Sequence, residues 1–318
     1  MVRSVLLSFC FLGFAACARG EFYKLEDDIV GPRFLSAFDF QDIADPTHGR
    51  VRYVNKFDAL WKNLTYVDEN SFILRTDYTN TLDPNGPGRD SVRVMSKKTY
   101  STVTTVFDVR HMPQGCGTWP AIWTTTTGKW PDGGEVDIME GVNDQWSNQA
   151  TLHTGPGCTM PPYRLQTGMS NGDNCDVYAT YNAGCSVGFQ NPLSYGPQFN
   201  RNGGGWYAME RTPFYVKVWF WTREDIFVPH DVKHGGSHIN TGSWGIPAAY
   251  FPNTSCNFDK FFSDHNIIIN LTLCGDWAGN DDVYSNSGCP STCVDHVNNN
   301  PSAFADAYFD IASLRIYC

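Results

Sequence analysis

Hydrophobic and polar residues alternate with a period of two in short segments along most of this chain. In FYVKVWFW (214–221), Phe214, Val216, Val218 and Phe220 fall on one face and the intervening residues on the other. Such alternation is typical of β-strands that are buried on one face. Comparable segments are RVRYV (50–54), FILRTDY (72–78), SVRVMS (91–96), VTTVFDVR (103–110), IIINLTL (267–273) and IASLRIY (311–317).

Helical periodicity is confined to two short segments, KFDALWKN (56–63) and AFADAY (303–308). The 29 glycines, 18 prolines and 14% aromatic residues favour many strands joined by ordered loops. We therefore predict an all-β fold, a two-sheet antiparallel sandwich of the jelly-roll type. The stretch 155–205 has almost no strand periodicity but contains three cysteines, so we expect disulfide-pinned loops there.

The N-terminus predicts a secretory signal peptide. Arg3 precedes the apolar run VLLSFCFLGFAA, which ends at the small-residue site Ala16-Cys17-Ala18. The run is shorter than the roughly 20 apolar residues of a membrane span, although an uncleaved anchor is the alternative. We expect residues 1–18 to be removed, with cleavage after Gly20 as the second choice, and 19–318 to form one domain.

The charge balance narrows the possible partners. Lys and Arg total 23 against 33 Asp and Glu, which gives a net charge of −10. An acidic chain repels phosphate backbones and anionic lipids, so we expect neither nucleic acid nor a membrane surface as a partner. A neutral or cationic substrate fits better.

Cysteines and glycosylation sequons agree with export. We expect four disulfides and one unpaired cysteine, the C-terminal Cys318, with a cysteine-based metal site as the alternative. Three N-x-S/T sequons predict glycosylation at Asn63, Asn253 and Asn270, although Asn270 lies in an apolar run and is alternatively an unmodified strand residue. The nine cysteines beyond the signal peptide are Cys116, Cys158, Cys175, Cys185, Cys256, Cys274, Cys289, Cys293 and Cys318.

Three carboxylates lie within six positions of the segment WPDGGEVDIMEGV (130–142): Glu135, Asp137 and Glu140. On a helix, Glu135 and Glu140 would point about 140° apart. On a regular strand, Glu140 would face away from the other two acids. A β-bulge at Ile138–Met139 adds one residue and returns Glu140 to the shared face. We therefore predict a bulged strand that presents all three acids together.

Three acids on one face suit retaining glycoside hydrolysis, which uses two carboxyl groups roughly 5–5.5 Å apart. Glu135 and Glu140 are long enough to converge, and Asp137 between them would help to separate their pKa values. Gly133 and Gly134 lack side chains and are expected to leave room for a bulky ligand. The alternatives are a solvated strand face and a Ca²⁺ site made from the same carboxylates.

The segment GEVDIMEGVN matches the E-x-D-x-x-E signature of glycoside hydrolase family 16, in its laminarinase branch. The segments RHMPQGCGTWPAIW, SYGPQFN and NLTLCGDWAG also resemble the secreted fungal endo-β-1,3(4)-glucanases of that family. The resemblance runs from about Leu25 to the C-terminus. It implies a concanavalin A-like jelly roll with a glucan cleft, in which Glu135 is the nucleophile, Glu140 the general acid/base and Asp137 the assisting carboxylate.

The resemblance also implies substrate-binding residues. Trp123, Trp130 and Trp277 align with tryptophans expected to line sugar subsites, where an indole offers a flat apolar face; core packing is the alternative. His153 is expected to open the strand after the catalytic one and to hydrogen-bond near the leaving-group sugar, or else to be structural. Arg93 is expected to donate to sugar hydroxyls, with a solvated surface residue as the alternative.

We therefore expect a secreted, monomeric, retaining endo-β-glucanase that prefers β-1,3-glucans such as laminarin and needs no cofactor or metal. The alternatives are a cell-wall transglycosylase and a glucan-binding protein without turnover. GMSNG (168–172) matches the nucleophile elbow of α/β-hydrolases, but we expect no strand-to-helix turn there. His230, His234 and His238 have helix-like spacing that two glycines interrupt, so we expect no metal site.

Overall fold

Two antiparallel β-sheets stack face to face in the computed structural model, which describes residues 22–145 and 147–318. This confirms the predicted all-β sandwich. The expected signal peptide and Trp146 lie outside the described residues. No helix in the described part of the chain is long and apolar enough to cross a membrane.

The strands follow the alternating segments closely. In chain order they are β1 Phe22–Ile29, β2 Phe38–Phe40, β3 Val51–Tyr53, β4 Thr65–Val67, β5 Phe72–Arg75, β6 Arg89–Ser91, β7 Arg93–Ser96, β8 Val103–His111, β9 Thr118–Thr125, β10 Glu135–Glu140, β11 Gln149–His153, β12 Met169–Ser170, β13 Cys185–Gly188, β14 Gly205–Arg211, β15 Tyr215–Thr222, β16 His238–Asn240, β17 Ala249–Pro252, β18 Asn266–Leu273 and β19 Tyr308–Tyr317.

The helices are short and lie in the connections between strands. They are α1 Phe34–Ala37, α2 Lys56–Trp61, α3 Gly196–Arg201, α4 His230–His234, α5 Phe258–Phe261, α6 Gly275–Ala278, α7 Asp281–Asn286 and α8 Cys293–Asn299. Single 3-10 turns occur at Gly31–Arg33, Pro192–Ser194, Thr241–Ser243, Asn253–Ser255 and Pro301–Phe304.

One sheet, which we call the cleft sheet, carries the three acids. Its strand order is β12-β13-β11-β10-β9-β18-β7-β2, so the acidic strand β10 lies near the middle. The back sheet has the order β16-β1-β19-β8-β14-β15-β17, and β5 extends it by pairing with β19 and with β4. A separate pair, β3 and β6, is parallel.

The core lies between the sheets because their facing strands each bury one set of alternate residues. In β18, Ile267, Ile269 and Leu271 are at most 1% exposed and belong to the same apolar cluster as Phe107 of the back sheet. Asn270 lies on the opposite face of β18. Polar residues of the cleft sheet are thus presented on a face that the core does not use.

Two of the predicted elements differ from the structure. SVRVMS is divided at Val92 between β6 and β7, which pair with different strands. The helix expected at 303–308 is wrong: a single 3-10 turn ends at Phe304, and β19 begins at Tyr308. Pro301 starts that turn, and too few residues remain before the strand for a stable helix. The helix expected at 56–63 is confirmed as α2.

Among the described residues four disulfides form, and Cys318 is unpaired and exposed, as predicted. Cys158–Cys256 and Cys175–Cys185 fix the stretch 155–205, which is mostly loop but also contains β12, β13 and α3. Cys116–Cys289 and Cys274–Cys293 hold the segment 275–293, which carries Trp277, against the cleft sheet. A disulfide that closes a long loop contributes roughly 2–4 kcal/mol.

Candidate active site

A β-bulge in β10 brings the three acids to one face. Asp137 pairs with Trp123 of β9 and Met139 with the next residue, Ile122, so β10 has one extra residue between them. Glu135, Asp137 and Glu140 lie opposite Thr125, Trp123 and Ala121, which alternate along β9 and therefore share a face. Val136, Ile138 and Met139 are fully buried on the core side. The predicted bulge at Ile138–Met139 is confirmed.

The turn before β10 is fixed by packing and does not leave the ligand space that we expected. Gly134 has a φ of +77°, and a Cβ there would lie 2.5 Å from the ring of Phe262. His265 Nε2 donates to the carbonyl oxygen of Gly133 at 2.6 Å. Burial lowers the pKa of His265 to about 3, so the ring is neutral and its Nδ1 accepts from the Thr124 hydroxyl at 2.9 Å.

Asn148, which the sequence did not single out, supports the bulge. Its side chain is fully buried. Oδ1 accepts from the backbone N–H of Glu140 at 2.9 Å, and Nδ2 donates to the carbonyl oxygen of Ile138 at 2.9 Å. One amide side chain thus satisfies two backbone groups that the bulge removes from the ladder. Asn148 fixes the direction in which Glu140 leaves the strand.

We expect Asn148→Ala to lower the free energy of unfolding by about 1–3 kcal/mol, because two buried backbone groups lose their partner. It should also lower kcat by roughly tenfold or more, because Glu140 is no longer held in position. Asn148→Asp keeps the acceptor for Glu140 but removes the donor to Ile138, so it should give an intermediate loss. Initial rates on a β-glucan, paired with thermal unfolding, measure both effects. Asn299→Ala, an exposed residue at the C-terminal end of α8, is the control. An unchanged kcat in Asn148→Ala would contradict this role.

Two indole N–H groups bind the glutamates from separate directions. Trp130 Nε1 donates to Glu135 Oε2 at 2.5 Å, and Trp119 Nε1 donates to Glu140 Oε1 at 3.0 Å. Trp119 is a functional candidate that we missed. Its spacing from Trp123, four residues along a strand, already placed both indoles on one face.

Crowding and burial raise the pKa values of all three acids. Burial, with the Asp137 carboxylate second, raises the pKa of Glu135 to about 8. Burial raises the pKa of Glu140 to about 7, although His153 and the Trp119 hydrogen bond act in the opposite direction. Burial and the nearby Glu140 charge raise the pKa of Asp137 well above its usual range. The site therefore retains protons near neutral pH, as an acid catalyst requires.

The tryptophans form the walls of a cleft around these acids. Trp130 is 47% exposed beside Glu135. Trp277 meets Trp119 edge to face, with 5.7 Å between ring centroids, and so continues the wall on the Glu140 side. Asn270 fixes the Trp123 indole, because its Oδ1 accepts from the indole N–H at 2.7 Å. None of the three is fully buried, so each leaves surface for a ligand.

Most of the chain matches a known protein family. Residues 38–317 match the family model described as the XgeA-like, catalytic GH16 domain. The chain belongs to glycoside hydrolase family 16. The resemblance noted in the E-x-D-x-x-E segment is thereby confirmed over most of the chain.

Two solved structures of family 16 members resemble this chain over nearly its whole length. Laminarinase 16A from Phanerochaete chrysosporium, solved with 6-O-glucosyl-laminaritriose in its donor and acceptor sites, is 59% identical to this chain. The superposition has a TM-score of 0.93 and covers 94% of this chain and 100% of that one. An elongating family 16 β-1,3-glucosyltransferase is 38% identical, with a TM-score of 0.85 and coverage of 93% and 100%.

Curated relatives are longer proteins. A probable endo-1,3(4)-beta-glucanase of Aspergillus fumigatus is 42% identical over 310 residues, which are 94% of this chain and 46% of that protein. A probable glycosidase of Schizosaccharomyces pombe is 41% identical over 302 residues, 94% of this chain and 70% of the relative. The chain thus spans about half the length of the Aspergillus relative.

His153 ends β11 of this family 16 cleft and does not open it, so that expectation is wrong. It lies opposite Glu135 across the strand pair, and its Nε2 is 3.3 Å from Asp137 Oδ2. Side-chain donor atoms of Glu135, Asp137 and His153 lie within 4.8 Å of one another, a spacing at which a divalent cation could bind. The same spacing suits carboxyl groups that exchange protons, which is the use that family membership favours.

Arg93 is 8% exposed, so the solvated-surface alternative is wrong. Its guanidinium lies 4.9 Å from the centre of a Trp123 ring, and Nε donates to Gln41 Oε1 at 2.7 Å. These contacts hold the Arg93 guanidinium beside the Trp123 indole and help to fix the position of that ring. Direct donation from Arg93 to a sugar remains a prediction.

The three sequons differ in accessibility. Asn270 is 6% exposed, and its Nδ2 donates to the Tyr53 hydroxyl at 3.2 Å while its Oδ1 binds Trp123. A glycan has no room there in the folded protein, so glycosylation at Asn270 is a wrong expectation and the strand-residue alternative holds. Asn63 is exposed and Asn253 partly exposed, and both remain predicted sites.

Raised acid pKa values oppose folding at high pH. Below about pH 4.5, Glu135 is protonated in the folded and unfolded chain alike; above that, the unfolded chain ionises while the folded site keeps the proton until about pH 8. Glu135→Gln removes this penalty and keeps an acceptor for Trp130. Near pH 8 the removed penalty is at least about 1 kcal/mol of folding free energy, so we expect the Tm of Glu135→Gln to exceed that of wild type by about 2–4 °C. Near pH 4 the two Tm values should match. Calorimetry at both pH values tests this, and an equal difference at both would contradict it.

Proposed function

We propose that this chain is a retaining endo-β-glucanase that hydrolyses β-1,3-glucans and, to a lesser extent, mixed β-1,3/1,4-glucans. The observation that carries the proposal is the bulge in β10, which places Glu135 and Glu140 on one face with Asp137 between them. Retaining hydrolysis requires such a pair of carboxyl groups.

In the proposed mechanism Glu135 is the nucleophile. Glu135 attacks the anomeric carbon in the protonation state of the interacting acids in which Glu135 is ionised and Glu140 keeps its proton, and Glu140 protonates the departing glycosidic oxygen. The Trp130 N–H bound to Glu135 orients the attacking carboxylate. Glu140, now ionised, then takes a proton from water, which attacks the glycosyl-enzyme and releases the product with its original anomeric configuration. No step requires a cofactor.

We propose that Asp137 changes its protonation state as Glu135 gains or loses its charge. It is 1% exposed, and the His153 ring lies beside its Oδ2. When Glu135 loses its charge on forming the glycosyl ester, Asp137 can ionise by giving its proton to the adjacent His153 Nε2, and it takes that proton back when the ester breaks. The pair then carries a nearly constant charge through both steps.

The glucans bound or hydrolysed by similar proteins support the choice of substrate. Phanerochaete laminarinase 16A binds a branched laminaritriose, and the Aspergillus relative is a probable endo-1,3(4)-beta-glucanase. A glucan is neutral, which agrees with the acidic chain. The exposed indole of Trp130 and the half-buried indole of Trp277 would stack on its sugar rings.

Transglycosylation is the second candidate, because one similar structure is an elongating β-1,3-glucosyltransferase. It uses the same glycosyl-enzyme, which a sugar hydroxyl attacks in place of water. A glucan-binding protein without turnover is disfavoured, since both glutamates are present and lie on one face of β10.

We further propose that the chain is exported, that residues 1–18 are its signal peptide, and that 19–318 act as one monomeric catalytic domain. Four disulfides support passage through an oxidising compartment.

Proton NMR of laminarin during the first minutes of digestion tests the function. We expect β-anomers to appear first and to mutarotate later, with products shorter than the substrate. Early α-anomers would overturn the retaining mechanism. Products longer than the input would favour transglycosylation, and binding without cleavage of laminarin or of lichenan would overturn the enzyme proposal.

A further inference from the structure

Helix α2 presents two aromatic side chains to solvent. Phe57 is 73% exposed and Trp61, one helical turn later, is 79% exposed. Their ring planes are parallel to within 3°, with centroids 6.4 Å apart. Leu60, beside them, is 40% exposed. Adjacent exposed aromatic rings on one helix are a candidate contact surface.

The chain leaves α2 through a Schellman turn that ends in a sequon. The N–H of Leu64 donates to the carbonyl oxygen of Ala59 at 2.8 Å, and the N–H of Asn63 donates to that of Leu60 at 3.2 Å. Asn63 takes the left-handed position, φ +56°, where glycine is the usual residue. Asparagine here supplies an exposed amide only two residues after Trp61, in the sequence Trp61-Lys62-Asn63-Leu64-Thr65.

The amide of Asn63 is available. Within the described part of the chain its side chain makes no hydrogen bond. By contrast, Asn253 Nδ2 donates to the Pro213 carbonyl oxygen at 3.1 Å, and both amide atoms of Asn270 are bound in the cleft sheet. In the part of the chain that the structure describes, only the sequon at Asn63 combines a free amide with a neighbouring pair of parallel, exposed aromatic rings.

We propose that Asn63 carries an N-linked glycan whose first N-acetylglucosamine packs on the Trp61 and Phe57 rings. One face of a pyranose presents C–H groups, which pack on an aromatic face as another apolar surface would. The glycan is thus the occupant of the exposed patch. This proposal requires export of the chain and is independent of activity in the cleft.

The sugar donor for this modification is a lipid-pyrophosphate oligosaccharide of the secretory pathway. Asn63 Nδ2 forms a bond to C1 of the first sugar, and the bond between C1 and the pyrophosphate oxygen breaks. Its electron pair goes to the leaving lipid pyrophosphate, and one amide proton is released to base.

The test uses the full chain from a eukaryotic secretory host that attaches high-mannose glycans, with Asn253→Gln throughout so that Asn63 bears the glycan. Mass spectrometry measures occupancy. An endoglycosidase trims the glycan to its first sugar, and an amidase removes it entirely, converting the asparagine to aspartate, which tolerates the left-handed conformation. Each form is made with and without Trp61→Ala, and Tm is measured for all.

We expect Asn63 to be occupied and trimming to one sugar to leave Tm unchanged. Complete removal should lower Tm by about 2–3 °C, the shift of one modest contact in a protein of this size. In Trp61→Ala, complete removal should cause no such loss. An unoccupied Asn63, a loss on trimming alone, or an equal loss with and without Trp61 would each overturn the proposal.

Discussion

Replacing Glu135 with serine is expected to abolish turnover of laminarin while leaving laminarin binding intact. Without a carboxylate opposite the anomeric carbon, no glycosyl-enzyme forms, and removal of a nucleophile costs on the order of 10⁴- to 10⁶-fold in kcat. Binding should persist because Trp130, Trp277 and Trp123, which would stack on the sugars, are unchanged. Reducing-sugar release and calorimetric titration with laminarin oligosaccharides measure the two effects.

The matched control is Glu224→Ser, which removes a carboxylate from an exposed loop outside the cleft sheet. It should retain wild-type kcat and KM. If Glu135→Ser instead kept a tenth of the wild-type rate, Glu135 would not be the nucleophile, and loss of both activity and binding would point to collapse of the cleft. Circular dichroism before the assay separates that collapse from a chemical defect.

The fold was largely predictable because strand periodicity is local. Segments such as VTTVFDVR and IIINLTL alternate, and they became β8 and β18. The helix predicted at 303–308 was wrong, although the apolar spacing of that segment resembles a helix. The local structure is decided by β19, which begins at Tyr308 and pairs with three other strands. Strand β13 is only four residues long, which is too short for its alternation to stand out.

The catalytic acids were predictable for a related reason: their irregular spacing makes sense only on a bulged strand. What the sequence could not show is how the bulge is held. Asn148 reaches back eight to ten residues to Glu140 and Ile138, and Trp119 reaches Glu140 across the strand pair. Both are contacts between side chains and groups on neighbouring segments, which no local pattern encodes. Asn270 illustrates the opposite case, since its sequon is a local pattern that tertiary burial overrides.

The second large effect concerns Glu140 and distinguishes its role from that of Glu135. Glu140→Ala should lower laminarin hydrolysis by about 10²–10⁴-fold, the usual contribution of general acid–base catalysis. An aryl β-glucan oligosaccharide with an acidic phenol needs no protonation to leave, so its glycosylation step should remain fast. The glycosyl-enzyme then accumulates, because no base activates water. Added azide, a nucleophile that needs no base, should accelerate turnover and give the β-glycosyl azide.

The corresponding Glu135→Ala variant should behave oppositely. With the nucleophile absent, azide occupies the space of its carboxylate and attacks the anomeric carbon directly, so the product is the α-glycosyl azide. Since burial raises the pKa values of both glutamates in the free cleft, protonation alone does not assign their roles, whereas product configuration does. NMR of the isolated azides, with wild type as the control for no azide product, gives the answer. An α-azide from Glu140→Ala, or a β-azide from Glu135→Ala, would mean that the two glutamates have the opposite roles. The retaining mechanism would still hold, because both glutamates lie on the same face of β10 and either assignment needs that geometry.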